Sequence, residues 1–389
     1  MTNTAQIRPF QIEIPQAEID ELRQRLGATR WPVLPAGTEN DWSRGIPGGY
    51  LQELAEYWGG AFDWRKQEAA LNAFPQFMTE IDGQPMHFFH VRSAEPTAVP
   101  LLLVHGYPSS VVEFLDVIGP LTDPRSYGGD AADAFHVVIP SLPGFGFSTP
   151  LAEIGWEMKR TTEAFAELMT RLGYERFATQ GSDVGSGITG RLAATLPERV
   201  IASHVVTDRG MLGLMGEQFP LPGHLSADEL ALIAVEQAKW AQEKGYLVLQ
   251  QHRPQSLGPA LTDSPVAQLA WIAEKFQNWT DPARSPEDSV DRDRLLATIS
   301  LYWFTRSGAT AAQFLWEVEN SGLDWVAPST VPTGWAVFNT SPVMRSAMNP
   351  GGFIEHFTEY AEGGHFAVME QPGLFVDDVR AFFRKHRAG

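Results

Sequence analysis

Three short stretches carry side chains that could do chemistry together. In Gly181-Ser182-Asp183-Val184-Gly185, small residues crowd around one acid between an apolar run and an apolar helical pattern. Neighbours without bulk let a backbone turn sharply from strand to helix with one reactive side chain at the corner, the nucleophile elbow. Ser usually holds that corner, and here Asp183 does. A carboxylate needs no base to activate it; it attacks a carbon bearing a leaving group or a strained ring and leaves an ester that water must cleave. Asp is also a favoured helix N-cap, so the turn alone fits a nucleophile or a cap. The second stretch is Gly363-Gly364-His365-Phe366. A late His flanked by glycines is where the chain order nucleophile, acid, His would place a base, and His365 is singled out by that context among 10 histidines. His87, His90, His136 and His204 fall in predicted strands and read as structural. The third is His105-Gly106-Tyr107-Pro108, directly after a predicted strand. There the Tyr107 N–H, together with the Val184 N–H beyond the elbow, could face a developing oxyanion. His105 itself reads as part of the turn.

Positioning these groups requires strands that end on a common edge. From residue 101 buried apolar runs alternate with helical patterns, which predicts strands at 101–104, 136–139, 177–180, 201–206, 334–338 and 354–360. Helices are expected between them, for example at 160–172 and 187–196. This is an α/β fold with a mostly parallel central sheet, whose strand ends converge on one crevice. Before it, the patterns predict helices at 15–26, 50–58 and 64–74 around a Pro- and Gly-rich passage. A hairpin of strands 77–81 and 86–91 follows, turned by Asp82-Gly83. Between 210 and 322 the strand signal disappears and helices are expected at 227–243, 266–276 and 293–303, the pattern of a lid. The expected organisation is therefore 1–90 as a wrapping segment, 91–209 and 323–389 as the two parts of the core, and 210–322 as the lid.

Composition narrows the partners. At 389 residues with 43% hydrophobic content the chain can bury a large core, and without Cys it has no disulfides or thiolate metal sites. A net charge of -18 would be repelled by nucleic acid or an anionic membrane surface, so neither is expected as a partner. The start of the chain, residues 1–9, has no apolar leader core, and no stretch approaches the roughly 20 apolar residues of a membrane span. A soluble, unprocessed cytoplasmic protein is the expectation; a homo-oligomer is compatible with it.

Taken as a set, several motifs resemble the microsomal-type epoxide hydrolases, with the α/β-hydrolase fold. They are Trp31-Pro32, the run Phe62-Asp63-Trp64-Arg65-Lys66-Gln67, His105-Gly106-Tyr107-Pro108-Ser109, and Pro143-Gly144-Phe145-Gly146-Phe147-Ser148. Gly181 to Gly185, Pro254 through Asp263-Ser264-Pro265, and Gly363-Gly364-His365-Phe366-Ala367 complete the set. The resemblance covers nearly the whole chain, including that family's N-terminal wrapping segment, and has no counterpart to the membrane anchor of the animal enzymes. It implies a cofactor-independent, metal-free hydrolysis of a small hydrophobic epoxide to a vicinal diol. Asp183 would open the ring to an ester, lid tyrosines would protonate the ring oxygen, and His365, held by a carboxylate, would activate water. Tyr246, in Gly245-Tyr246-Leu247, falls where the family keeps its first lid tyrosine; a buried aromatic with a satisfied hydroxyl is the other reading.

The sequence departs from the family at two places. The second lid tyrosine should lie in Gln313-Phe314-Leu315-Trp316-Glu317, which offers only Leu315 or Trp316 in its place; Trp316, the candidate lid contact, could donate a weak N–H bond but no proton. The orienting acid should follow Val337-Phe338, where the chain reads Asn339-Thr340-Ser341-Pro342. Asp208, just beyond the strand after the elbow helix, could replace the acid missing near Ser341, as in haloalkane dehalogenases, or could simply pair with Arg209 at the surface. These departures suggest an altered site, suited to a bulky natural-product epoxide. A haloalkane dehalogenase is the second reading, although Val184 and Tyr107 are not its halide-gripping donors; a non-catalytic ligand-binding relative is the third.

Overall fold

The computed structural model describes residues 6–323 and 328–387. Expectations for residues 1–5, 324–327 and 388–389 lie outside the described residues. The strands are β1 Arg8–Phe10, β2 Gln76–Ile81, β3 Gln84–Val91, β4 Val99–Val104, β5 Phe135–Pro140, β6 Phe177–Ser182, β7 Val200–Asp208, β8 Thr333–Phe338 and β9 His356–Glu359. They form one sheet in the order β1-β2-β3-β5-β4-β6-β7-β8-β9. The hairpin end is antiparallel, and every pairing from β5 through β9 is parallel. Every residue of β6 is buried, as a parallel strand covered on both faces requires. The chain leaves β4 towards β5 on one side and returns as β6 on the other, so the strand order reverses at β4. That switch point opens a crevice beyond the carboxyl ends of β4 and β6, where the His105 to Pro108 turn and the elbow meet.

Three departures from the sequence-based expectation have physical causes. β1 is a three-residue edge strand containing Pro9, too short to show a period, and it is fixed by pairing with β2. β7 runs on to Asp208 because Thr207 and Asp208 pair with Val337 and Phe338 of β8, which carries Asp208 to the carboxyl edge of the sheet. The elbow helix, Val184–Thr195, starts three residues earlier than expected from its weak helix formers Gly185, Ser186 and Gly187. Packing overrides propensity there: a Cβ on Gly185 would lie 2.1 Å from the Val104 carbonyl oxygen of β4. Only glycine lets this helix press on the neighbouring strand.

Between β7 and β8 the described residues form helices Ala227–Glu243, Gly245–His252, Pro254–Asp263, Pro265–Trp279, Pro286–Ser289, Arg292–Thr305 and Ser307–Asn320. The segment preceding β2 anchors this helical region. Trp58 Nε1 donates to Ser300 Oγ at 2.8 Å, Tyr57 donates to Asp293 Oδ1 at 2.9 Å, and the Trp64 ring lies 4.9 Å from that of Phe304. Among the described residues no helix is long and apolar enough to cross a membrane.

Candidate active site

Asp183 sits between β6 and its helix at φ 51° and ψ -129°, a conformation that costs a non-glycine residue energy and holds the side chain out over the crevice. It makes no side-chain cap bond, so the N-cap reading falls away. Instead its Oδ1 accepts the Tyr107 N–H at 2.9 Å. Gly106 makes that approach feasible, because a Cβ there would lie 2.3 Å from Asp183 Cβ. The second amide read from the sequence, that of Val184, makes no bond to the carboxylate among the described residues. Its place at the helix start leaves it free to face an oxygen that moves.

Asp183 Oδ2 lies 3.7 Å from His365 Nε2, and His365 Nδ1 donates to Asp208 Oδ2 at 3.0 Å. Asp208 therefore does not pair with Arg209, which lies against Glu236 at 3.5 Å. The stretch after β8 contributes Asn339, at φ 43°, to the cavity wall, and no acid. Burial alone would push the His365 imidazole down. The hydrogen bond and charge of Asp208, joined by the charges of Asp183 and Glu113, outweigh it and push the group up to about 9. His365 is thus an imidazolium at neutral pH in the resting site.

The histidine loop is clamped to the end of a lid helix. His365 N–H donates to the Trp279 carbonyl at 2.7 Å, and Gly364 leaves no room for a Cβ, which would lie 2.5 Å from that oxygen. Glu370, a buried carboxyl pushed up to about 7 by burial, accepts the Asp281 and Phe366 amides at 2.8 and 3.1 Å. Asp281 in turn accepts the Gly363 N–H at 3.1 Å. The imidazole edge meets the Trp279 ring at 5.1 Å.

A cavity of about 290 Å³ opens from these groups under the lid, near the low end of the usual range for ligand pockets. Apolar side chains such as Met211, Phe219, Leu247 and Leu315 line it together with Asp183, His365, Tyr246 and Trp279. Tyr246 stacks on Tyr107 with ring centroids 6.1 Å apart, and the Tyr107 hydroxyl accepts Trp271 Nε1–H at 2.7 Å. Burial, then the charges of Asp183, Tyr107 and Glu243, raise the Tyr246 phenol well above its ordinary value, so it stays protonated and can donate. Trp316 is a correction. It does not line the cavity, whereas Leu315 and Val318 do; one helical residue turns the side chain by about 100°, which takes Trp316 off the lining face. Besides Tyr246, the lining holds the phenol of Tyr107, which comes from the turn after β4 and not from this helix.

Sequence reading missed Glu113, Lys275, Trp271 and Trp279. Glu113 left a signal, a charge inside the apolar run Val111-Val112-Glu113-Phe114-Leu115. It is 3% exposed, burial pushes it up to about 7, and Ser182 Oγ lies 3.3 Å from its Oε1 behind Asp183. The others lie on helix Pro265–Trp279, and nothing local in the sequence shows which residues they meet.

If Tyr246 protonates a leaving oxygen, Tyr246→Phe should slow formation of a covalent intermediate by about 10²-fold or more, the usual scale of general acid catalysis. Rapid-quench mass spectrometry measures that step; an unchanged rate would assign the proton to another donor.

Comparisons with known proteins identify the family and the fold. The family described as "Epoxide hydrolase N terminus" matches residues 7–114, and the one described as "alpha/beta hydrolase fold" matches residues 99–372. A protein of Stigmatella aurantiaca that carries the epoxide hydrolase name is 44% identical over 98% of this chain and 86% of its own length. Epoxide hydrolase 1 of Sus scrofa is 35% identical over 97% of this chain and 88% of its own. The solved Aspergillus niger epoxide hydrolase superposes with a TM-score of 0.83 at 30% identity, covering 98% of this chain and 97% of that one.

Proposed function

The chain belongs to the microsomal-type epoxide hydrolases, enzymes that hydrolyse epoxides to vicinal diols, and from that premise we propose that it works through an ester on Asp183 and takes a compact apolar epoxide. The observation that carries the reading is the line from Tyr107 N–H through Asp183 to His365 and Asp208, with contacts of 2.9, 3.7 and 3.0 Å. One carboxylate oxygen is held and the other is free towards the cavity. The volume of about 290 Å³ favours a compact substrate over the bulky one suggested by the departures from the family pattern. We place the reaction in the cytoplasm and expect no nucleic acid, membrane, metal or cofactor to take part.

In the first step Asp183 Oδ2 attacks an epoxide carbon, the carbon–oxygen bond breaks, and Tyr246 gives its proton to the leaving oxygen. The phenolate regains a proton from the His365 imidazolium, directly or through solvent. Loss of the Asp183 charge removes one of the groups that hold His365 charged, so alkylation itself prepares the base. In the second step neutral His365 takes a proton from water, whose oxygen adds to the ester carbonyl. The oxyanion is met by the Tyr107 and Val184 amides. Collapse expels the diol oxygen, which takes the proton left on the added water oxygen, so that the Asp183 carboxylate and the His365 imidazolium are both restored.

Because the first step needs no base, His365→Gln should form the ester and then stall. Intact-mass measurement after mixing with a styrene-type epoxide should show one added substrate mass that persists for hours. A variant that neither traps an adduct nor slows would remove His365 from the mechanism.

A further inference from the structure

Lys275 is a cation placed where a soluble protein rarely hides one. It lies on helix Pro265–Trp279, it is 2% exposed, and its Nζ stands 4.6 Å from the centroid of the Tyr246 ring and 5.6 Å from that of Trp279. Two carboxylates hold it there, Glu274 Oε2 at 3.3 Å and Glu243 Oε2 at 3.6 Å. A buried ammonium is costly unless it is paired. Both partners are themselves part-exposed, so the pairing could have been made outside. Its position over an aromatic ring that faces the reacting centre is the feature left to explain.

We propose that Lys275 is a positioning residue for Tyr246: it fixes the phenol ring over the cavity and stabilises the negative charge that ring gains while it protonates the epoxide oxygen. The inference rests on the role proposed for Tyr246 and deepens it. A cation over an aromatic face is attracted more strongly as electron density in the ring rises. That density rises as the hydroxyl proton moves to the leaving oxygen, so the interaction grows towards the transition state and lowers the barrier to ring opening. The need is acute in this site. Burial and the charges of Asp183 and Glu243 make the phenol a poor acid, and the other phenol in the lining, that of Tyr107, already holds Trp271 Nε1–H on its oxygen at 2.7 Å. Glu243 works against the effect from one side, and Lys275 offsets it.

The test is a double-mutant cycle on the alkylation rate, read by rapid-quench mass spectrometry with a styrene-type epoxide. Lys275→Met should slow alkylation about 10- to 30-fold, the size of a desolvated cation on an aromatic face, while ester cleavage changes less than about twofold. In the Tyr246→Phe background the same substitution should do almost nothing, because the group it serves has gone. Lys275→Arg should keep most of the rate. Equal slowing in both backgrounds, or equal slowing of both chemical steps, would make Lys275 a packing residue and overturn the inference. An unchanged alkylation rate in Tyr246→Phe alone would overturn the Tyr246 assignment itself, a distinct outcome. Should Lys275→Met fail to fold, Glu243→Gln decides: removing its charge should speed alkylation about two- to fivefold wherever Tyr246 is present, and a slower or unchanged rate would contradict the proposal.

Discussion

Asp183→Asn is expected to fold, bind substrate and lose turnover by about 10⁴- to 10⁶-fold, the scale on which removing a covalent nucleophile acts. The amide oxygen is a poor nucleophile, while the Oδ1 contact to Tyr107 N–H survives the exchange because that oxygen still accepts. Folding should therefore be intact, and thermal unfolding checks it. The loss should fall on alkylation. No added mass should appear on Asp183→Asn, even in a His365→Gln background that would otherwise trap it. Full activity in a fresh preparation with no deamidation would overturn the assignment.

The second large effect belongs to Asp208. Its Oδ2 holds His365 Nδ1 at 3.0 Å, fixing the tautomer in which Nε2 faces Asp183 and stabilising the imidazolium that forms when water is deprotonated. Asp208→Asn should alkylate Asp183 normally and cleave the ester about 10³- to 10⁴-fold more slowly, the cost of losing the orienting acid in serine triads. The pH dependence has a definite sign. The base must be neutral, so ester cleavage rises with pH through the pKa of His365 in the ester form. That value should lie below the resting value of about 9, since Asp183 no longer contributes charge, and lower still in Asp208→Asn. A second substitution should partly rescue the variant. The cavity wall after β8 is formed by Asn339 at φ 43°, a conformation that Asn and Asp adopt more readily than other side chains, so Asn339→Asp can enter without strain. Ser341, the site suggested by the family pattern, is buried at 8% exposure and absent from the cavity lining, so it is the poorer position. Ester cleavage at the wild-type rate in Asp208→Asn would transfer the orienting role to another group.

Much of this architecture was legible in the sequence because each part is written locally. Buried apolar runs marked β4 to β8, and the small residues around Asp183 marked the elbow. The glycines before His365 marked the loop expected to carry a base, while its close pass to the Trp279 carbonyl is visible only in the structure. What escaped depends on distance in space. Nothing local shows that β7 runs on until Asp208 pairs with Phe338, or that Lys275 and Trp279, on one turn of a lid helix, meet Tyr246 from another. The Trp316 expectation failed for a related reason. Counting along a chain finds a segment, but a shift of one residue on a helix changes which side chain faces the cavity.

The most direct test of a covalent Asp183 ester is where the oxygen of water goes. A single turnover with enzyme in excess, run in H₂¹⁸O and followed by peptide mapping and product mass analysis, separates the two routes. Attack by Asp183 followed by hydrolysis at the ester carbonyl puts the heavy oxygen into the Asp183 carboxylate and leaves the diol unlabelled. Direct attack of an activated water on the epoxide would label the diol and leave Asp183 unchanged, and that result would contradict the mechanism.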